Sequence, residues 1–216
     1  MQRDYTHIIW DFNGTLLDDV AIGVVCANRL LRAHDLPEIP SVSHYRELFG
    51  FPIVDYYRRL GFDFDKLPYA ELAKEWVSYY LSYREEMQTY ADVPAALSRV
   101  RQAGLCQLIL SATEKEMLKG QVEALGILPY FDELLGLENI QAFSKEEIGC
   151  RWRATHPEAR VLMIGDTDHD AQVAAAMGVD CVLLTCGHQN RKTLESQPCL
   201  FVADSATEAL DRVLGD

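Results

Sequence analysis

Residues 8–19 read Ile8-Ile9-Trp10-Asp11-Phe12-Asn13-Gly14-Thr15-Leu16-Leu17-Asp18-Asp19. An apolar run stops on a carboxylate, and a glycine turn carrying an amide and a hydroxyl follows it. Such a segment predicts a strand that is buried along its length and opens onto a polar edge. The same grammar recurs downstream: residues 106–110 run into Ser111, residues 161–164 into Gly165-Asp166, residues 181–184 into Thr185, and residues 200–202 into Ala203-Asp204. Runs that stay apolar instead of alternating belong to strands covered on both faces, the mark of a parallel sheet.

Helical patterns fill the intervals. Residues 93–103 carry Pro94 in the first turn and stop at Gly104; residues 114–125 stop at Gly126; residues 168–177 stop at Gly178; residues 205–214 close the sequence. Proline just inside a helix and glycine just past it are the expected start and stop signals. Strand and helix in repeated alternation predict an α/β fold with a doubly wound parallel sheet. Residues 18–89 break the alternation. They hold helical patterns, no convincing strand and seven of the ten tyrosines, Tyr45, Tyr56, Tyr57, Tyr69, Tyr79, Tyr80 and Tyr83. The organisation expected is a core of residues 1–17 and 90–216 with a helical insertion at 18–89.

Composition narrows the partners. The net charge of −13 disfavours nucleic acid and anionic membrane, and it obliges any phosphate site to supply its own local positive charge. No apolar run reaches the roughly 18 residues that span a bilayer. The leading segment Met1-Gln2-Arg3-Asp4-Tyr5-Thr6-His7 has no secretory pattern, so a cytoplasmic location is expected. None of the six cysteines forms a Cys-x-x-Cys pair, which predicts free, mostly buried thiols.

Ligands of open parallel sheets bind beyond the carboxyl ends of the strands. The polar residues there are Asp11, Asn13, Gly14 and Thr15; Ser111 and Thr113; and Asp166, Asp168 and Asp170. Carboxylates and hydroxyls meeting at one edge would suit a hard cation and phosphate oxygens. Asp168 sits where a helix N-cap belongs, and His169 reads as a helix surface residue. Lys115 and Lys119 rival Lys145 for a phosphate contact.

Asp11-Phe12-Asn13-Gly14-Thr15-Leu16, Ser111 after a strand, Lys145 at a helix start, and Gly165-Asp166-Thr167-Asp168-His169-Asp170 resemble the four ordered motifs of the haloacid dehalogenase superfamily. The insertion is similar to the cap of its phosphoglycolate phosphatase-like members. The resemblance implies a Rossmann-like core with an inserted helical cap. It also implies a Mg²⁺-dependent phosphatase acting on a small phosphorylated metabolite. In that scheme Asp11 attacks phosphorus and becomes an aspartyl-phosphate. Mg²⁺ is held by Asp11, the backbone carbonyl of Asn13, Asp166 and Asp170. Thr15, Ser111 and Ala112 meet the phosphoryl group, and Lys145 sets a positive charge beside Asp11. Arg46, Phe49, Gly50 and Phe51, read as a break between cap helices, are the candidates for reaching the site from above.

Position 13 departs from the pattern. Family phosphatases read Asp-x-Asp-Gly-Thr, and their second Asp carries a proton to the leaving oxygen. An amide cannot exchange that proton, a loss worth ~10²–10⁴ in rate. Three readings stay open. The protein is a slowed phosphatase, a form changed deliberately to trap an intermediate, or an impaired member that binds a phosphorylated ligand or a protein partner. On the first reading, Asn13→Asp is expected to speed turnover.

Overall fold

The computed structural model describes residues 4–138 and 144–215. Met1, Gln2 and Arg3 of the leading segment, and Ala142 and Phe143 ahead of Lys145, lie outside them. Among the described residues six strands form one sheet: β1 (His7–Trp10), β2 (Cys106–Glu114), β3 (Glu133–Leu137), β4 (Val161–Gly165), β5 (Asp180–Leu184) and β6 (Phe201–Ala203). Their order is β3-β2-β1-β4-β5-β6, and every pairing is parallel. The chain therefore winds outward from β1 in both directions. The order reverses between β1 and β4, which opens a crevice at their carboxyl ends.

Each central strand feeds both faces. Ile8 and Trp10 of β1 enter one apolar cluster and Ile9 the other, while Leu162 and Ile164 of β4 part in the same way from Val161 and Met163. The first cluster is closed by α5 (Val93–Gln102), α6 (Lys115–Ala124) and α10 (Ala206–Leu214). The second is closed by α7 (Lys145–Thr155), α8 (Asp168–Met177) and α9 (Arg191–Glu195). Trp10 is fully buried, and its indole N–H donates to Gln107 Oε1 at 3.1 Å, so its one polar atom is satisfied.

The helix signals read from the sequence have local causes. Pro94 lies in the first turn of α5, and Gly178 takes the left-handed conformation (φ 66°) that ends α8. Two features differ. β3 was not anticipated, and β2 continues through Ser111 to Glu114 with a register shift between Leu110 and Glu114. All six cysteines are free, as expected, but only Cys26 and Cys181 are buried; Cys106, the first residue of β2, is exposed.

Between β1 and α5 lie α1 (Val20–Ala33), α2 (Val42–Leu48), α3 (Ile53–Arg59) and α4 (Tyr69–Leu81). They enclose an apolar cluster of their own, built on Leu30, Leu31, Tyr45, Tyr56, Tyr57 and Leu72. The chain enters and leaves this layer side by side: Asp18 N–H donates to Gln88 O at 2.9 Å and Tyr90 N–H to Leu16 O at 3.2 Å. No described helix is long and apolar enough to cross a membrane.

Ile9 is fully buried at the centre of the sheet. Ile9→Ala is expected to lower the unfolding free energy by about 2–5 kcal/mol, read as a fall in the urea midpoint at unchanged slope.

Candidate active site

Asp11 follows the last residue of β1, and its backbone N–H donates to Ile164 O of β4 at 2.8 Å. The bond stitches the two strands together at their carboxyl ends, so Asp11 and Asp166 face each other across the crevice. Asp170 joins them from the first turn of α8, where Thr167 is the N-cap and Thr167 and Asp170 form a capping box. Asp168 is therefore not the cap; its backbone N–H donates to Gln189 Oε1 at 2.7 Å. One ligand oxygen from each of Asp11, Asp166 and Asp170 lies within 4.8 Å of the others, and all three residues are buried.

Lys145 is brought to this cluster by a second capping box, between Ser144 and Glu147, which starts α7 and sets Lys145 in its first turn. Its side chain is 3% exposed. The ammonium donates to Asp11 Oδ1 and, at 2.5 Å, to Asp170 Oδ1. Both carboxylates drive its pKa further up than burial lowers it. Asp11 Oδ2 accepts no hydrogen bond among the described residues, which leaves one carboxylate oxygen free beside a fixed one. The rival lysines are elsewhere: Lys115 is exposed, and exposed Lys119 lies 3.9 Å from Glu123.

Three carboxylates against one ammonium leave two uncompensated negative charges in a buried place. Without a cation this is costly: burial, with neighbouring carboxylates, holds Asp11 well above the ordinary range and raises Asp166 to about 6. A divalent cation with oxygen ligands would match both the charge and the donor set. The walls leave little slack around Asp166. A methyl added to Gly14 (φ 75°) or Gly187 would collide with its carboxylate. Its Oδ1 accepts from the Thr15 hydroxyl at 3.0 Å and its Oδ2 from His188 N–H at 2.7 Å.

The remaining expected residues lie around this centre. Ser111 is buried within β2, and its Oγ accepts from Thr113 N–H at 3.1 Å; Ala112 is exposed beside it. The Thr15 hydroxyl is turned to Asp166, so a phosphoryl contact would require it to turn. Asn13 is fully engaged. Its amide N–H groups donate to Asp19 Oδ2 at 2.8 Å and to the Tyr80 hydroxyl at 2.9 Å, and its Oδ1 accepts from the Thr113 hydroxyl at 3.0 Å.

Asp19, His188 and Tyr80 adjoin this centre, and the sequence did not single them out. His188 Nε2 lies 3.2 Å from Asp19 Oδ1, and its Nδ1 lies 2.9 Å from the Tyr45 hydroxyl. Burial lowers the His188 pKa, but Asp19 and Asp166 outweigh it and push the imidazole up to about 9. The 46–51 segment does reach the core. Arg46, which lies inside α2 and not in a break, donates to Gly187 O at 2.8 Å and Cys186 O at 2.5 Å. Phe51 stacks on His169 with ring centroids 4.6 Å apart.

The family model described as haloacid dehalogenase-like hydrolase matches residues 8–184. The phosphoglycolate phosphatase of Vibrio parahaemolyticus is 23% identical over 98% of this chain and 97% of its own length. A haloacid dehalogenase-like hydrolase of Streptococcus pneumoniae superposes with a TM-score of 0.81 at 21% identity, covering 96% of this chain and 98% of that one. Protein tyrosine kinase A of Mycobacterium tuberculosis superposes almost as well, with a TM-score of 0.80 at 19% identity over 97% of this chain and 98% of that one. The shared fold therefore does not by itself select an activity.

His188 gives a pH signature. Its folded pKa of about 9 lies above the unfolded value near 6.5, so its stabilisation is full below pH ~6.5 and is lost as pH rises through about 9. In chelator-treated protein the unfolding free energy is expected to fall by on the order of 3 kcal/mol across that window. His188→Gln should flatten the fall, as measured by denaturant titrations at stepped pH.

Proposed function

The chain belongs to the haloacid dehalogenase-like hydrolase family, and on that premise we propose that it is a Mg²⁺-dependent phosphatase of small organic phosphate monoesters. Residues 18–89 serve as its cap. The observation that carries this reading is Asp11, with one oxygen held by Lys145, the other free, and Asp166 and Asp170 within cation-sharing reach. Similarity to phosphoglycolate phosphatases over nearly the whole chain supports the same class.

Asp11, Asp166, Asp170 and the Asn13 carbonyl would hold the cation, which when bound supplies positive charge against the phosphoryl oxygens. The free Asp11 oxygen bonds to phosphorus as the ester oxygen leaves, giving an aspartyl-phosphate that water then hydrolyses. Lys145 favours the ionised form of Asp11 against the effect of burial, and it stands ready to bond a phosphoryl oxygen. Thr15, Ser111 and the backbone at Ala112 are the remaining contacts for that group. Tyr45 and Tyr80, lowered from the cap onto the strand ends, exclude bulk water.

Asn13 has no proton to give the departing oxygen. An ester whose alcohol leaves as a stable anion does not need one. Phosphorylation of Asp11 should therefore depend steeply on the leaving group: in the first turnover p-nitrophenyl phosphate is expected to release its alcohol about 10²-fold or more faster than an alkyl phosphate such as phosphoglycolate. Activity should need Mg²⁺ and fall to background in Asp11→Asn. A panel of phosphate esters in which none is turned over, or one in which Asp11→Asn matches the unaltered protein, would overturn the proposal.

A further inference from the structure

Asp19 has a side chain only 4% exposed, and all of its bonds lead back to the site. It precedes the first residue of α1, yet its side chain does not cap that helix. Instead Oδ1 accepts from Gly14 N–H at 2.9 Å and lies 3.2 Å from His188 Nε2. Oδ2 accepts from the Asn13 amide at 2.8 Å and from the Tyr80 hydroxyl at 2.6 Å. The carboxylate thus joins the glycine turn after β1, the loop that holds Asp166, and both cap helices that reach the strand ends: α4 through Tyr80, and α2 through His188 and Tyr45.

We propose that Asp19 is the positioning residue of this site, and that Asn13 and Asp19 form an amide–carboxylate pair which couples position 13 to closure of the cap. The pair is sensitive to which member carries the amide. In Asn13→Asp two carboxylate oxygens meet where an N–H···O bond stood. In Asp19→Asn the new amide nitrogen faces either the Asn13 N–H or, after a flip, the Gly14 N–H. In the exchanged double variant Asn13→Asp/Asp19→Asn every bond has a donor and an acceptor again. The amide oxygen then at position 19 would take Gly14 and His188, and the amide nitrogen there would donate to position 13. Tyr80 would donate to the carboxylate then at position 13. On this geometry, returning an aspartate to position 13 alone lowers turnover, the reverse of what the motif comparison suggests.

The test uses four full-length proteins: unaltered, the two single variants and the exchanged double. Amide hydrogen exchange of α2 and α4 is followed by mass spectrometry in chelator, and p-nitrophenyl phosphate turnover is followed with Mg²⁺. Each single variant leaves a buried polar group unsatisfied, so exchange in both helices should rise about tenfold or more. The double variant should return to within about threefold of the unaltered protein, with turnover falling and recovering in parallel. Tyr80→Phe, which introduces no charge, should raise exchange in α4 more than in α2.

Single effects that simply add in the double variant would overturn the pairing, as would Asn13→Asp exchanging like the unaltered protein or turning over faster. The turnover readout rests on the phosphatase reading; the exchange readout does not. Reciprocal rescue in exchange, with no ester hydrolysed by any of the four, would leave the pairing standing and remove the phosphatase.

Discussion

Three carboxylates that repel one another are held at one edge of a parallel sheet, and most of the molecule near that edge serves to keep them there. Asp11 is fixed by the pairing of β1 with β4, Asp170 by the capping box of α8, and Asp166 by the Thr15 hydroxyl and the His188 N–H. Left alone, such a cluster would protonate or open. A single ammonium, Lys145, bridges Asp11 and Asp170 and offsets part of the repulsion. The remainder is a surplus of buried negative charge that a divalent cation would offset. Under the proposed function, such a cation would let a phosphoryl group approach a protein that is acidic overall.

The helical layer of residues 18–89, the proposed cap, is tied into this balance. Its aromatic interior makes it a unit with its own core, and its contacts with the sheet edge combine hydrogen bonds with aromatic ones, Phe51 on His169 and Phe49 beside His188. Tyr45 and Arg46 from α2 meet the 186–188 loop, and Tyr80 from α4 meets Asn13 and Asp19. Hydrogen bonds of this kind can be released and remade, because each partner can find water when the layer lifts. An apolar seam of the same extent would hold the cap down more firmly and would carry no information about the charge state below.

What could be read from the sequence follows from the range of the forces involved. Five of the six strands announce themselves as apolar runs because both faces of the sheet are covered. β3 does not: it is an edge strand of five residues carrying Glu133 and Gly136, and half its environment comes from its neighbour β2. Lys145 was legible only through the motif order of the resemblance, with Lys115 and Lys119 as rivals; the Ser144–Glu147 capping box that places it belongs to the structure. Asp11, Asp166 and Asp170 could be found because each ends a strand or opens a helix. Asp19, Tyr80 and His188 gave no such signal. Tyr80 is 61 residues from Asp19, and His188 is 169. Nothing in the flanking sequence of either marks it off from an ordinary packing residue, and only the folded chain brings them together.

The same reasoning changes what Asn13 means. Compared with a motif, the amide is a missing acid. Within the folded pocket it is one part of a charge balance. Asp11, Asp19, Asp166 and Asp170 stand against Lys145 and the His188 imidazolium, a surplus of two negative charges that one divalent cation would match. A fifth carboxylate at position 13, 2.8 Å from Asp19, would raise the surplus to three without adding a donor. The amide at 13 and the acidic residue at 19 are therefore not independent features of this chain. Each makes the other tolerable, and position 13 cannot be judged without position 19.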